Sequence, residues 1–237
     1  MESRLCEESV KGMVSKMNER NEKNEKYISN AVIRRLPRYF RYLKELLDSD
    51  IMRISSKELS EKMNVTASQI RQDLNCFGGF GQQGYGYNVK YLYWEISKIL
   101  GVDKNYTAVI VGVGNLGKAL INTPMFEKRG VSISGLFDVS EDTVGKSFGE
   151  HTVMYTDSIP EFCREHKTDI AILTLPKTEV YKTAVLLAQN GVKGFWNFSN
   201  AELELKEFPG VQIENVHLGD SLMALCYSLS SENGEKI

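Results

Sequence analysis

A chain of 237 residues, 42% hydrophobic and 25% charged, is too balanced in composition to be disordered and long enough for two compact domains. A formal net charge of −2 argues against a uniformly basic nucleic-acid binder, and no apolar run reaches the roughly 18 residues of a membrane span. The sum conceals a division: residues 27–90 carry ten basic against six acidic side chains, and residues 91–237 carry thirteen against nineteen. A basic region followed by an acidic one fits a phosphate-facing module joined to a different working part.

Met1-Glu2-Ser3-Arg4 opens a charged stretch without the apolar core of a signal peptide, so a cytoplasmic protein is expected. Residues 1–26 hold six basic and six acidic side chains and little apolar content, and are read as a flexible arm. Four scattered cysteines and three histidines have no metal-ligand or disulfide spacing, so free thiols and no metal are expected.

From Ser29 onward Val32, Leu36, Phe40, Leu43 and Leu47 recur at helical spacing, with Arg34, Arg35, Arg38 and Arg41 interleaved. Pro37 favours a helix that starts there, with the proline in its first turn. Ser55-Ser56-Lys57-Glu58 is a capping box that opens a helix through Met63, and Thr66-Ala67-Ser68-Gln69 repeats the device. Two short helices joined by a tight turn make a helix-turn-helix, or else an ordinary helical hairpin. In the second helix Ser68, Gln69, Arg71 and Gln72 are placed to reach base edges. Phe77 to Tyr87 interleaves aromatics and glycines as a tight β-hairpin does, which makes a winged helix with Gln82 and Gln83 at the wing tip and Tyr87 bracing it, all three counted as DNA contacts. A helix from Val89 to Leu100 leads to a domain boundary near Gly101.

Tyr106 to Val111 reads as a buried parallel strand, followed at once by Gly112-Val113-Gly114-Asn115-Leu116-Gly117 and a helix. In that context G-x-G-x-x-G binds a dinucleotide: Gly112 turns the chain, Gly114 leaves room for a diphosphate, and Gly117 lets helix and strand approach. The strand Val131 to Phe137 ends in Asp138, whose carboxylate accepts the adenosine ribose hydroxyls and repels a 2′-phosphate, favouring NAD(H). The competing account is a glycine turn that binds S-adenosylmethionine or no ligand at all. Strand 169–175, helix 179–189 and strand 194–198 continue a Rossmann-type doubly wound parallel sheet, with Pro176 at the ligand crevice. The last helix, Leu218 to Ser230, is apolar nearly all round; it inserts into a partner subunit or packs back on its own domain.

The domains expected are therefore 1–26 arm, 27–100 winged helix, 101–217 Rossmann NAD(H)-binding domain, and 218–237 final helix and tail. An α/β chain of this plan is a DNA-binding protein or an NAD-dependent oxidoreductase. For the enzyme, His217 is the one serious acid–base candidate, since His151 and His166 fall in solvated segments.

The chain resembles the Rex redox-sensing transcriptional repressors from about Val32 to Leu229. The resemblance lies in Arg35-Leu36-Pro37, Ile70-Arg71-Gln72-Asp73, Phe77-Gly78-Gly79-Phe80-Gly81, Gly84-Tyr85-Gly86-Tyr87-Asn88-Val89, the glycine loop, and Gly191-Val192-Lys193-Gly194 with Asn197-Phe198. It implies a homodimer with exchanged C-terminal helices that represses palindromic double-stranded DNA operators and releases them when NADH replaces NAD+. No catalysis is implied. Arg41 matches a family arginine of the interdomain switch. The sequence departs from the family at Thr123, where a tyrosine is usual, and at His217, where an acid is usual. Gln72 and Gln83 stand where basic residues are usual. A third reading follows from these departures: a member that binds DNA with altered redox sensing.

Overall fold

The computed structural model describes residues 28–77, 81–82 and 85–232, and the chain divides into two compact units between Leu100 and Gly101. The arm read over residues 1–26 lies outside the described residues, as do Gln83, Cys6 and residues 233–237.

The first unit opens with α1 (Asn30–Asp48), whose N-cap Ser29 accepts from the Val32 amide at 3.4 Å. The helix therefore starts seven residues before Pro37, against the expectation that the proline begins it. Val32 and Leu36 are buried in the preceding turns, contributing about 3 to 6 kcal/mol against about 3 for an interior proline. Pro37 itself is exposed, so the unmade backbone bond faces water. The short strand β1 (Arg53–Ile54) precedes α2 (Ser56–Met63), which begins with a complete capping box: Glu58 N to Ser55 Oγ at 3.1 Å, Ser55 N to Glu58 Oε2 at 2.8 Å. Asn64, at φ 50°, ends the helix in the left-handed region. The next helix, α3 (Ala67–Asn75), has Thr66 Oγ1 accepting from Gln69 N at 3.2 Å. Here the box is only half formed, because the Gln69 amide turns away to Asp73.

The wing consists of β2 (Gly81–Gln82) and β3 (Gly86–Asn88), antiparallel, with β1 on the other side of β3. Gly86 has φ +69°, and a Cβ there would stand 2.6 Å from the Ile54 carbonyl oxygen, so only glycine lets β3 lie this close to β1. The unit closes with α4 (Val89–Leu100), which packs on α1 through a stack of Tyr93 on Phe40 at 4.6 Å. Leu36, Leu43, Leu59, Ile70 and Leu92 meet in its core.

The second unit is a seven-stranded sheet. In chain order it contains β4 (Tyr106–Val111), α5 (Asn115–Ile121), β5 (Val131–Asp138), β6 (Ser147–Phe148) and β7 (His151–Tyr155). Then come α6 (Ile159–Glu165), β8 (Ile170–Leu173), α7 (Val180–Gln189), β9 (Gly194–Asn197) and β10 (Gln212–Asn215). The sheet order is β10-β9-β8-β4-β5-β7-β6, and every pairing is parallel except β6 with β7. Setting the small hairpin strand β6 aside, this is the 3-2-1-4-5-6 order of dinucleotide-binding folds, with the reversal of winding beside β4. Alternation along β4 fills both faces: Val109 and Val111 enter one core cluster, Ala108 and Ile110 the other.

The final helix, α8 (Leu218–Glu232), does not pack back on its domain. Leu222, Met223, Leu225, Tyr227 and Leu229 remain 55–70% exposed. None of the described helices is long and apolar enough to cross a membrane.

Candidate DNA-reading face and nucleotide crevice

On α3 the exposed residues are Ser68, Arg71, Gln72 and Asn75, spaced three and four apart along one face. Ile70, Asp73 and Leu74 are buried on the other. The Arg71 guanidinium donates to Ser56 Oγ at 3.0 Å, so the first helix of the pair steadies the arginine on the second. Asn75 shares this face and escaped the sequence reading, although its spacing from Ser68 and Arg71 is the signal that finds it.

Two residues read from the sequence as DNA contacts stand elsewhere. Gln69 is half-buried, and its amide donates to Asp73 Oδ1 at 2.8 Å, which removes it from the reading face. Tyr87 is 7% exposed, packed in the core under the wing, where burial raises its phenol above the ordinary range; it braces the wing from within. Gln82 belongs to β2, opposite Gly86, and Gln83 lies outside the described residues.

Asp73 is the fully buried charge among the described residues of this unit. It accepts from Arg35 Nε and Nη2 at 2.7 Å each, from Tyr39 Oη at 2.8 Å and from Gln69 Nε2 at 2.8 Å. Burial by itself pushes the carboxyl up, but these donors outweigh it and hold the group below the ordinary carboxylate range. The Tyr39 phenol is pushed far up, first by burial and then by the neighbouring carboxylate. The cluster ties α3 to α1 across 38 residues of chain and so sets the angle at which the reading face is presented.

In the second unit the glycine loop lies between β4 and α5, at the carboxyl ends of β4, β5 and β8. Gly112 has φ +96°, and a Cβ on it would meet the Thr174 carbonyl oxygen at 2.7 Å. A Cβ on Gly117 would collide with the Gly112 carbonyl oxygen, whereas one on Gly114 meets nothing within 4 Å. Two glycines are thus required by the protein's own backbone, and the third opens onto free space, as the middle glycine of a dinucleotide loop does. The amides of Asn115 and Leu116 open α5 and have no intrahelical acceptor. Val113 is buried beneath the loop, and its amide donates to Asp138 Oδ2 at 2.6 Å. Asp138 Oδ1 takes the amides of Val139 and Ser140 at 2.7 and 2.9 Å. The carboxylate is therefore already a latch that holds the loop, in addition to any ribose it accepts. Thr174 Oγ1 donates to the Gly112 carbonyl, and Pro176, exposed two residues later, follows the same strand end.

Residues 27–75 match the family described as "Putative DNA-binding protein N-terminus", and residues 103–201 match "CoA binding domain". The chain is 51% identical over 211 residues to the redox-sensing transcriptional repressor Rex of Caldicellulosiruptor saccharolyticus, covering 89% of this chain and 95% of the relative. With Rex of Clostridioides difficile it shares 52% over 202 residues, 85% of this chain and 95% of that one. A solved structure of RSP in complex with β-NAD+ and operator DNA superposes with a TM-score of 0.81 at 51% identity, covering 88% of this chain and 95% of the other. RSP in complex with β-NADH gives 0.80 at 48% identity, covering 88% and 97%.

The chain belongs to the Rex family of redox-sensing transcriptional repressors.

Rex proteins are regulators, and the histidines fit that reading rather than the oxidoreductase one. His166 stacks on Phe162 at 4.4 Å, and His151 lies in β7. His217, the acid–base candidate, holds Glu202 Oε1 at 2.8 Å just before α8. Asn215 joins them, donating to Glu202 Oε2 at 3.0 Å while accepting from the buried Asn197 at 2.8 Å. An acid, Glu202, thus lies within hydrogen-bond distance of His217, at the position where the resemblance leads one to expect an acid. Thr123, two residues past α5, borders a cleft of about 520 Å³ with Phe126, Ile133, Phe148 and His151. That cleft touches the amino-terminal part of β5, whereas the glycine loop stands at the carboxyl ends of the strands. Arg41 is exposed on α1, its guanidinium 5.9 Å from the Tyr42 ring centre.

Proposed function

We propose that this protein binds a palindromic operator as a homodimer in the cytoplasm and releases it when NADH replaces NAD+ in the crevice at Gly112–Gly117. The observation that carries the reading is the RSP structure, in which one protein 51% identical to this chain is in complex with both β-NAD+ and operator DNA. Residues 27–100 are the reader, with Ser68, Arg71 and Gln72 in the major groove and Asn75 beside them. Residues 101–217 are the sensor, in which the free amides of Asn115 and Leu116 face the diphosphate, Val113 shapes the loop with its own amide held by Asp138, and Asp138 supplies the ribose contact. Residues 218–237 are the exchange segment between subunits. Oxidised and reduced nicotinamide differ in ring charge and planarity, so a site that prefers one biases two dimer arrangements, at a differential of a few kcal/mol.

The test is an electrophoretic shift on a palindromic operator duplex, titrated separately with NADH and NAD+ at fixed salt. NADH dissociates the complex and NAD+ leaves it intact. Arg71→Ala lowers the preference for operator over random duplex by about ten- to a hundredfold. An unchanged preference removes α3 from base reading. Asp138→Ala weakens NADH binding, followed by its fluorescence, by about tenfold or more, since a charged acceptor is lost both to ribose and to the loop. Retained affinity excludes that role.

Thr123 and the His217–Glu202 pair favour one second reading, operator binding with altered sensing through Arg41, Thr123 and His217. The same titration decides it: a complex that NADH leaves intact establishes that reading.

A further inference from the structure

One edge of α1 faces α3, because Arg35 clasps Asp73, and the opposite edge faces α4, because Phe40 stacks on Tyr93. At about 100° per residue, Arg38 lies about 60° and Arg34 about 100° beyond Arg35, turning outward from the core on the α3 side. Arg34 is exposed, Arg38 is half-exposed, and neither makes an ion pair among the described residues. The acids in the same sector, Glu45 and Asp48, come later in the helix, so the stretch beside α3 is purely basic. Four residues of helix advance about 6 Å, close to two steps of the roughly 3.4 Å axial rise per phosphate on one strand, so the two guanidinium groups on their long stems can reach separate phosphates of one strand.

We propose that Arg34 and Arg38 form a second DNA-contacting surface that grips duplex phosphates flanking the groove read by α3. The proposal rests on the repressor reading above. It assigns these arginines to affinity and placement, while Arg71 and its neighbours carry the sequence preference.

The test uses full-length Arg34→Gln, Arg38→Gln and the double variant, which keep most of the apolar stem and the helix. Affinity for operator and for random duplex is measured between 50 and 200 mM salt, alongside wild type and Arg71→Ala. Each phosphate contact removed lowers the slope of log K against log salt by about 0.9, and costs about eightfold in affinity near 0.1 M salt. The loss is equal on both duplexes, so the operator preference stays at the wild-type value. A double variant with the wild-type slope overturns the proposal and leaves the arginines to some other acidic partner. A loss confined to the operator overturns it as well, since it makes them base readers. If wild type itself shows no operator preference, the repressor reading fails instead.

Discussion

Asp73→Ala destabilises the DNA-reading unit by about 3 kcal/mol and weakens operator binding with it. The substitution strands Arg35, Tyr39 and Gln69 without their shared acceptor, and removing one partner of a buried pair costs about 3 to 5 kcal/mol. The lower end applies because the Arg35 side chain is 30% exposed and regains water. Replacing both charges with apolar residues of similar size, Arg35→Met with Asp73→Leu, restores much of the stability, because no uncompensated charge remains. Urea unfolding of the single and double variants measures both. If the double variant is no better than Asp73→Ala, the loss comes from packing and not from the stranded charge. The same carboxylate makes the unit acid-sensitive. Its folded pKa is depressed, so its contribution is complete above the unfolded carboxylate value of about 3.9 and is lost as pH falls through the lower folded value. Wild type therefore loses stability on acidification below about pH 4, and Asp73→Asn, already less stable at neutral pH, shows a flatter profile there.

For the homodimer proposed above, two aspartates on α8, at Leu222 and Leu225, give a monomer and lower operator affinity by about a hundredfold or more. These leucines are 60% and 55% exposed in the single chain, on a helix whose apolar surface its own domain does not cover. A dimer that covers it presents two reading helices to two half-sites, and the second binds at the effective concentration set by the first. Light scattering reports the change in mass and a gel shift reports the affinity. The Rossmann core keeps its circular dichroism, since α8 contributes nothing to the buried clusters. A double variant that stays dimeric removes α8 from the subunit interface.

Short-range signals carried most of the fold. The Ser55 capping box, the strand before Gly112 and the carboxylate 21 residues after Gly117 each act within one or two turns or one βαβ unit, where residue type and spacing decide conformation. The errors all involve partners distant in sequence. Gln69 has the spacing of a capping box with Thr66 and the polarity of a base reader, yet a buried carboxylate four residues on competes for its amide. That carboxylate is buried because Arg35 meets it from 38 residues away. Tyr87 reads as a wing residue and is core, because β1 pairs with β3 and closes over it. Pro37 marks a helix start by local rules and is overruled by Val32 and Leu36 entering the core.

The sequence by itself determined the winged-helix elements, the strands at 106–111, 131–138, 170–173 and 194–197 and the helices that follow the first and third of them, that a glycine loop is followed by an acid 21 residues on, and that a basic unit precedes an acidic one. Those properties follow from propensity, period and charge along the chain. Only the tertiary structure decided which polar side chains face outward on α3, which acid steadies His217, and that α8 keeps its apolar surface exposed. Each of these depends on which surfaces meet across the fold, and burial changes the worth of a charge or a leucine by several kcal/mol without leaving a mark in the local pattern.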